Sequence, residues 1–403
     1  MAQKQVSRKN SELQEIFLND SDFLKEVVRT ALQKFLDNEM SEHLSAVPYE
    51  RSEERSGYRN GSYGRILKTR VGRIELEVPR DRDGTFQTAI FERYQRCEKA
   101  LLLALMEMTI QGVSTRKVRK ITEELCGTTF SASMVSSLCS ELDAELESWR
   151  NRPLEGEWPY LFVDAVYHKV RYNKKVVSMA VAVVTGVNLE GRRSVLGIEV
   201  FHSENGADYS LLFRDLQKRG LKGVQLVISD DHKGMRQAID SNFPGVSWQR
   251  CQVHFMRNFL SRLRKKDRGW ALAALKDVFA APDREQAETR LKAMILRLQE
   301  SDLELADWLE ENAPETLSVF SFPEGHRCRI KSTNSLERLN EEIRRRTRVI
   351  RIFPHRQSCV RMISSLCLEK DEEWTTGKQY LNMELLSKNN IDEKTIKNIR
   401  IAG

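Results

Sequence analysis

The chain has 403 residues, 40% apolar and 31% charged, which allows two or three domains and a sizeable core. Its net charge of +7 is too modest to name a partner, but arginines gather at 65–82, 257–268 and 344–356, as separate phosphate-facing surfaces would. Scattered Cys97, Cys126, Cys139, Cys251, Cys328, Cys359 and Cys367 argue against a disulfide framework, and no apolar core follows the basic start as in a signal peptide. The longest apolar run, Val176 to Val184, is too short for a bilayer, so a cytoplasmic protein without membrane partners is expected.

Along the chain, residues 10–45 carry a helical pattern: Leu13, Ile16 and Phe17, then Phe23, Val27, Val28, Leu32 and Phe35. Residues 51–65, with Gly57, Gly61 and Gly64 among tyrosines and arginines, read as a loop. Leu67, Thr69 and Val71 then alternate with Ile74, Leu76 and Val78 across Gly72-Arg73, which predicts a β-hairpin. Helix returns over 98–150, where 114–126 and 133–146 resemble a helix-turn-helix with Val118, Ile121, Leu125, Val135 and Leu138 as its core. From 158 the pattern changes to strands at 160–172, 175–187 and 193–201, a helix at 207–219, a strand at 225–229, a helix from Lys233 to Ser241 and a strand from Val246 to Cys251. That order is ribonuclease-H-like. Helical, charged sequence interrupts from 255, and the polar tail after 370 is expected to be only partly ordered. The expected fold is therefore α/β: a ribonuclease-H-like core with a helical insertion, preceded by a mostly helical DNA-binding region with a β-hairpin. The corresponding regions are 1–97, 98–157, 158–254, an insertion at 255–326, and 327–403.

Three carboxylates stand out within this plan. Asp164 sits inside the apolar run 160–167, Asp230 ends the run 225–230, and Glu337 precedes an arginine cluster on a helical stretch. An acid inside a buried strand is costly unless something pairs with it. Two carboxylates ~4 Å apart repel by about 4 kcal/mol at an effective dielectric of ~20, a penalty that divalent cations remove. Taken singly, Asp230 also suits a helix N-cap and Glu337 a solvated helix face. Asp231 could ligate too, but alternation puts only one of the pair on the face of Asp164. Cys251-x-x-His254 and His326-x-Cys328 have spacings atypical of zinc, which competes with a packed Cys beside a His at the site. Leu336, Leu339 and Ile343 form a buried stripe at i, i+3 and i+7, so Glu337, Asn340 and Arg344 share the next face and Arg345 points away.

The segments Tyr160-Leu-Phe-Val-Asp-Ala, Ser229-Asp-Asp-His-Lys-Gly234, Trp248-Gln-Arg-Cys-Gln-Val-His254 and 333–347 closely resemble the Mutator-type transposases of bacterial insertion sequences. Phe353-Pro354, Asp371-Glu-Glu-Trp374, the run Pro48 to Gly61 and the run Val78 to Gly84 fit as well, so the resemblance covers nearly the whole chain. It implies an Asp-Asp-Glu triad carried by Asp164, Asp230 and Glu337, and it marks Cys251 and His254 as a signature. The chain departs from the family in having Asp231 where a small residue follows the second Asp.

The same resemblance implies a bacterial, nucleoid-associated enzyme that binds the terminal inverted repeats of its element and joins the ends to target DNA. Two Mg²⁺ (or Mn²⁺) ions would be held by the triad, and synapsis of two ends implies at least a homodimer. No P-loop pattern occurs, so no nucleotide cofactor is expected. Arg344, Asn340 and His254 are the expected DNA contacts at the site. Arg116 and Arg119 of the helix pair, and Arg59 and Arg65 of the glycine-rich loop, are expected to contact DNA elsewhere.

Overall fold

Valine, leucine and methionine at four-residue spacing drive the first helix, α1 (Ser21–His43), onto the hairpin that follows it. Leu36 and Met40 are fully buried, and Val28 and Leu32 continue their stripe. Phe35, counted into the stripe from sequence, lies ~100° off it and is half exposed. The hairpin is β1 (Arg59–Thr69) and β2 (Gly72–Asp81), antiparallel with Thr69 opposite Gly72. Gly72 takes φ +109°, the left-handed region that glycine tolerates. Leu67, Ile74, Leu76 and Val78 lie beneath α1. The expected loop over 51–65 is corrected here: the strand begins at Arg59, glycines included. The β2 ladder supplies its backbone partners, Ser62 donates to Glu77, and Arg80 stacks on Tyr63.

The structure, a computed structural model, describes residues 21–50, 55–69, 71–88, 99–126 and 129–387. Leu13, Ile16 and Phe17 fall outside them. The chain divides into two compact units, Met1–Glu141 and Leu142–Gly403, a boundary inside the region 98–157 that the sequence groups together. The first unit ends with α2 (Lys99–Ile110), α3 (Thr115–Cys126) and α4 (Ala132–Ser140), the last capped by Ser131 accepting from the Met134 amide. The single helix expected over 133–146 is broken. It stops at Ser140 and resumes as α5 (Asp143–Arg150) in the second unit, where Arg361 grips Asp143 and the Trp149 indole donates to Asp371.

The second unit is built on a sheet of β3 (Tyr160–Tyr172), β4 (Lys175–Val187), β5 (Arg193–Phe201), β6 (Leu226–Ser229) and β7 (Ser247–Arg250), in the order β5-β4-β3-β6-β7. The first three strands run antiparallel, and β6 and β7 join parallel to β3 through the crossover helices α6 (Gly206–Lys218) and α7 (Lys233–Asn242). One sheet face (Leu161, Val163, Ala182, Val184) packs on α6 and α7 through Tyr209, Phe213, Met235 and Ile239. Alternation turns Tyr160, Phe162 and Asp164 to the other face. The helical stretch comprises α8 (Gln252–Arg262), α9 (Arg268–Phe279), α10 (Arg284–Gln299) and α11 (Leu303–Asn312). After it, α12 (Glu324–Ile330), α13 (Asn334–Thr347) and α14 (Arg356–Thr376) return, and α13 packs on β3. Of the polar tail, the described part, 371–387, is built into the fold: α14 runs to Thr376, and Leu381, Met383 and Leu386 are buried.

Candidate active site

β3 delivers Asp164 into a setting that no isolated strand could sustain. Its Oδ1 accepts from the Ala165 amide at 2.9 Å and its Oδ2 from Asn340 Nδ2 at 2.7 Å. Burial, with a further push from Asp230, raises its carboxyl to about 6, against the opposing pull of these hydrogen bonds and of His254. Asn340 comes from α13, where Leu336, Leu339 and Ile343 are the buried stripe, as their spacing predicts. At 2% exposed, Asn340 is a buried anchor for Asp164 and not the DNA contact expected from sequence. Its Oδ1 is buried with no partner, a cost that a ligand at Asp164 would offset.

Glu337, one helical turn before Asn340, turns towards α8. His254 Nε2 stands 3.0 Å from Glu337 Oε1, and its Nδ1 stands 3.9 Å from Asp230 Oδ1. Nδ1 is buried with no aligned hydrogen-bond partner. The Cys251 thiol against the ring, followed by Asp230 and Glu337, holds the imidazole up at about 9, although burial opposes it. Burial resists ionisation at Cys251, but the bonds from His254 and Thr333 overcome it and hold the thiol below its usual range. Thr333 contributes both its amide and its hydroxyl, each 3.4 Å from Cys251 Sγ. The Cys-x-x-His spacing thus places two contacts in one turn at the start of α8, and His254 lies between two carboxylates rather than on an open surface.

The pair Asp230-Asp231 separates at the end of β6. Asp230 accepts from the Asp231 amide at 2.7 Å and faces His254. Asp231 Oδ2 pairs with Arg250 at 2.7 Å, a guanidinium only 2% exposed that also reaches Asn312 and Glu315. Both acids lie just past the end of β6, and there they turn different ways. The site thereby gathers Asp164, Asp230 and Glu337 around His254 and Asn340 from three segments distant in sequence, β3, the end of β6 and α13. Among the described residues, no three His, Cys, Asp or Glu side chains are already drawn together tightly enough to hold an ion. The hard carboxylate oxygens suit a divalent cation, and the imidazolium supplies the positive charge between Asp230 and Glu337 in this arrangement. Zinc does not suit the other pair. His326 has one ring nitrogen on the Tyr160 hydroxyl and the other on the Asn382 carbonyl, and Cys328 is exposed.

The family model described as "Transposase, Mutator family" matches residues 1–377. The chain belongs to the Mutator family of transposases. It is 46% identical over 372 residues to the transposase of insertion sequence element ISRM5 from Rhizobium meliloti, covering 92% of this chain and 94% of that one. It is 43% identical over 367 residues to the transposase of IS406 from Burkholderia multivorans, covering 90% and 94%. It is 40% identical over 394 residues to the transposase of IS256 in Tn4001 from Staphylococcus aureus, covering 95% and 100%. Family membership agrees with the sequence resemblance. No helix among the described residues is long and apolar enough to cross a membrane.

The expected DNA contacts distribute unevenly. Arg344 is exposed, makes no ion pair among the described residues, and lies near enough to His168 on β3 to help burial push that imidazole down to about 4. Arg116 and Arg119 are exposed on α3. Arg59 is a structural strut instead, donating to Ser41 Oγ and the Ala46 carbonyl, and Arg65 is half-buried in β1. Sequence reasoning missed Thr333 as a partner of Cys251, Arg250 as a buried partner of Asp231, and Glu204. Glu204 pairs with His232 at 3.2 Å close to Asp230, and burial raises its carboxyl. Only the unusual placement of Arg250 at the end of a strand could have signalled its role.

Proposed function

We propose that this transposase binds the terminal inverted repeats of its element, cleaves the strand at each end and joins the freed 3′-OH to target DNA. The fold supporting this is ribonuclease-H-like, and Asp164, Asp230 and Glu337 are its triad. What carries the reading is the meeting of these three acids around His254 and Asn340 in a chain of this family. Asp164, Asp230 and Glu337 would hold two divalent ions, Mg²⁺ or Mn²⁺, which acidify the attacking water or 3′-OH and stabilise the leaving 3′ oxygen.

The chain's own residues do the rest. Asn340 and the Ala165 amide fix both oxygens of Asp164, so this carboxylate keeps one orientation through cleavage and joining. Thr333 and Cys251 set the ring of His254, and His254 in turn orients Glu337. Arg344 leaves the same helix unpaired and suits a phosphate beside the scissile bond, where fixed positive charge counters the charge gained in the transition state. Two ends must be held at once, so the working form is at least a homodimer.

Cleavage of labelled end DNA in Mg²⁺ tests this. Asp164→Asn, Asp230→Asn and Glu337→Gln should each abolish cleavage and joining while end binding stays nearly intact. Asp231→Asn should keep substantial activity at moderate temperature, because it removes a partner of Arg250 and no acid of the site. Full activity in Asp230→Asn with loss in Asp231→Asn would reassign the second acid.

A further inference from the structure

A cleft of about 730 Å³ opens on the second unit away from the triad, lined by Arg193, Arg329, Lys331 and Arg338 beside Trp374 and Tyr380. Its floor is an alternating stack. The Arg193 guanidinium lies 4.3 Å from the Trp374 ring centroid and 4.2 Å from that of Tyr380, and Arg329 follows at 5.3 Å on Tyr380. Such stacking covers the faces of a guanidinium and leaves its N–H edge for a planar or tetrahedral anion. The cleft's acids are already engaged: Glu342 holds Arg345 and Arg346, and Glu373 holds Lys370. Arg193, Arg329, Lys331 and Arg338 have no ion pair among the described residues. Burial, then the nearby charges of Arg329 and Arg338, press on Arg193, and Tyr380 and Glu373 only partly offset them. Folding has brought these like charges together with no ion pair of their own among the described residues, and an anionic ligand would relieve that cost.

The cleft's position in the fold says which anion. Arg193 is opposite Val187, and Val187 is opposite Tyr160, so Arg193 rises from the sheet face that carries Asp164. Four residues along β3 and two strands across separate them by roughly 16 Å. Arg338 directly follows Glu337 on α13. Phosphates of one strand advance ~3.4 Å each along the axis of duplex DNA while winding around it, so a strand leaving the triad reaches the cleft within a few nucleotides.

We propose that this Arg193-Arg329-Arg338 cleft is a second DNA-phosphate site, gripping the backbone a few nucleotides from the scissile bond. The ligand's identity as DNA rests on the transposase reading above. The cleft provides a fixed point that sets the register of the strand relative to Glu337. It grips phosphate rather than reading bases, since its guanidinium groups offer N–H edges to an anion and Tyr380 already carries a guanidinium from both Arg193 and Arg329.

The test is the salt dependence of binding by the full-length protein to a 30-base-pair duplex of random sequence, without divalent metal. Relative to wild type, Arg329→Ala with Arg338→Ala should flatten the slope of log affinity against log salt by about 2, and lower affinity at 0.1 M salt by roughly ten- to fifty-fold. Arg329→Lys with Arg338→Lys should recover most of the loss. Thermal melting of the alanine pair should be unchanged or higher, because repulsion is relieved. An unchanged slope, a lysine pair as weak as the alanine pair, or a collapsed melting temperature would each overturn the proposal. So would quenching of tryptophan fluorescence by inorganic phosphate or ATP, lost in the alanine pair, with no change in the DNA slope. The metal-free readout is independent of cleavage: a wild type that binds with this slope but never cuts would refute the transposase chemistry and leave the cleft standing.

Discussion

Asp164 carries the heaviest electrostatic load at the residue scale. Its carboxyl stands at about 6 in the folded chain against an ordinary value near 4, so folding binds a proton between those values. Below about pH 4 both states are protonated and nothing is lost; above about pH 6 the full penalty applies. Asp164→Asn should therefore raise metal-free stability by roughly 1–3 kcal/mol at pH 7.5, and the gain should fade as the pH drops from 6 towards 4. Urea melts of the two proteins across that range would show it, and a gain independent of pH would mean that the carboxylate is not the cause. Asp164 stood out in the sequence because an acid in an apolar strand violates local expectation, whereas Glu337, which singly suits a solvated helix face, was singled out only by the family resemblance. The turn of His254 and Asn340 inward was not legible. Each looks like a surface polar group on its own helix, and only the partner brought from β3 or α13 makes it a buried one.

The arginine run of α13 shows how one element divides its labour. Arg346 is buried and joins Glu342 to Glu369 of α14, Arg345 rides exposed on Glu342, and Arg344 is unpaired towards β3. Arg346→Ala should cost about 2 kcal/mol of stability, because it leaves two carboxylates without their shared cation. Arg345→Ala should cost at most a few tenths, as exposed pairs do. Single-turnover cleavage at saturating protein should instead single out Arg344→Ala, slowed roughly ten- to a thousand-fold, with Arg345→Ala changed several-fold at most. Equal rate losses would mean that the α13 face facing the triad is misassigned. The leucine stripe gave this face from sequence alone, since 3.6 residues per turn leaves little choice once three apolar positions are fixed. It could not sort Arg346 from its neighbours, because the acid that buries it lies on another helix. The glycine-rich start of β1 failed for a related reason: ladder pairing with β2 outweighs local propensity there.

At the scale of the whole molecule, the boundary at Glu141 and Leu142 decides how the chain can be divided. α5 follows that boundary and is held by Arg361 and Asp371, so it belongs with the second unit. A fragment of residues 1–141 should bind the element end in preference to scrambled DNA, with a steep loss of affinity as salt rises. Equal affinity for both DNAs at moderate salt would move sequence recognition into residues 142–403. The strand limits of the second unit were readable to the residue at 160–172, 175–187 and 193–201, because long β-branched runs bounded by turns admit one reading. The break between α4 and α5 was not, since both halves carry helical periodicity and only the contacts of α5 set them apart.

We propose that one site, formed by Asp164, Asp230 and Glu337, both cuts an element end and joins it. The most direct measurement supplies the protein with a pre-nicked end bearing a free 3′-OH, a target plasmid and Mg²⁺, and follows the covalently joined product. Wild type should yield end-joined plasmid that disappears with EDTA, and Glu337→Gln should reduce it at least a thousand-fold while still binding the end. Hydrolysis of the end with no joined product, or joining undiminished by Glu337→Gln, would contradict the account.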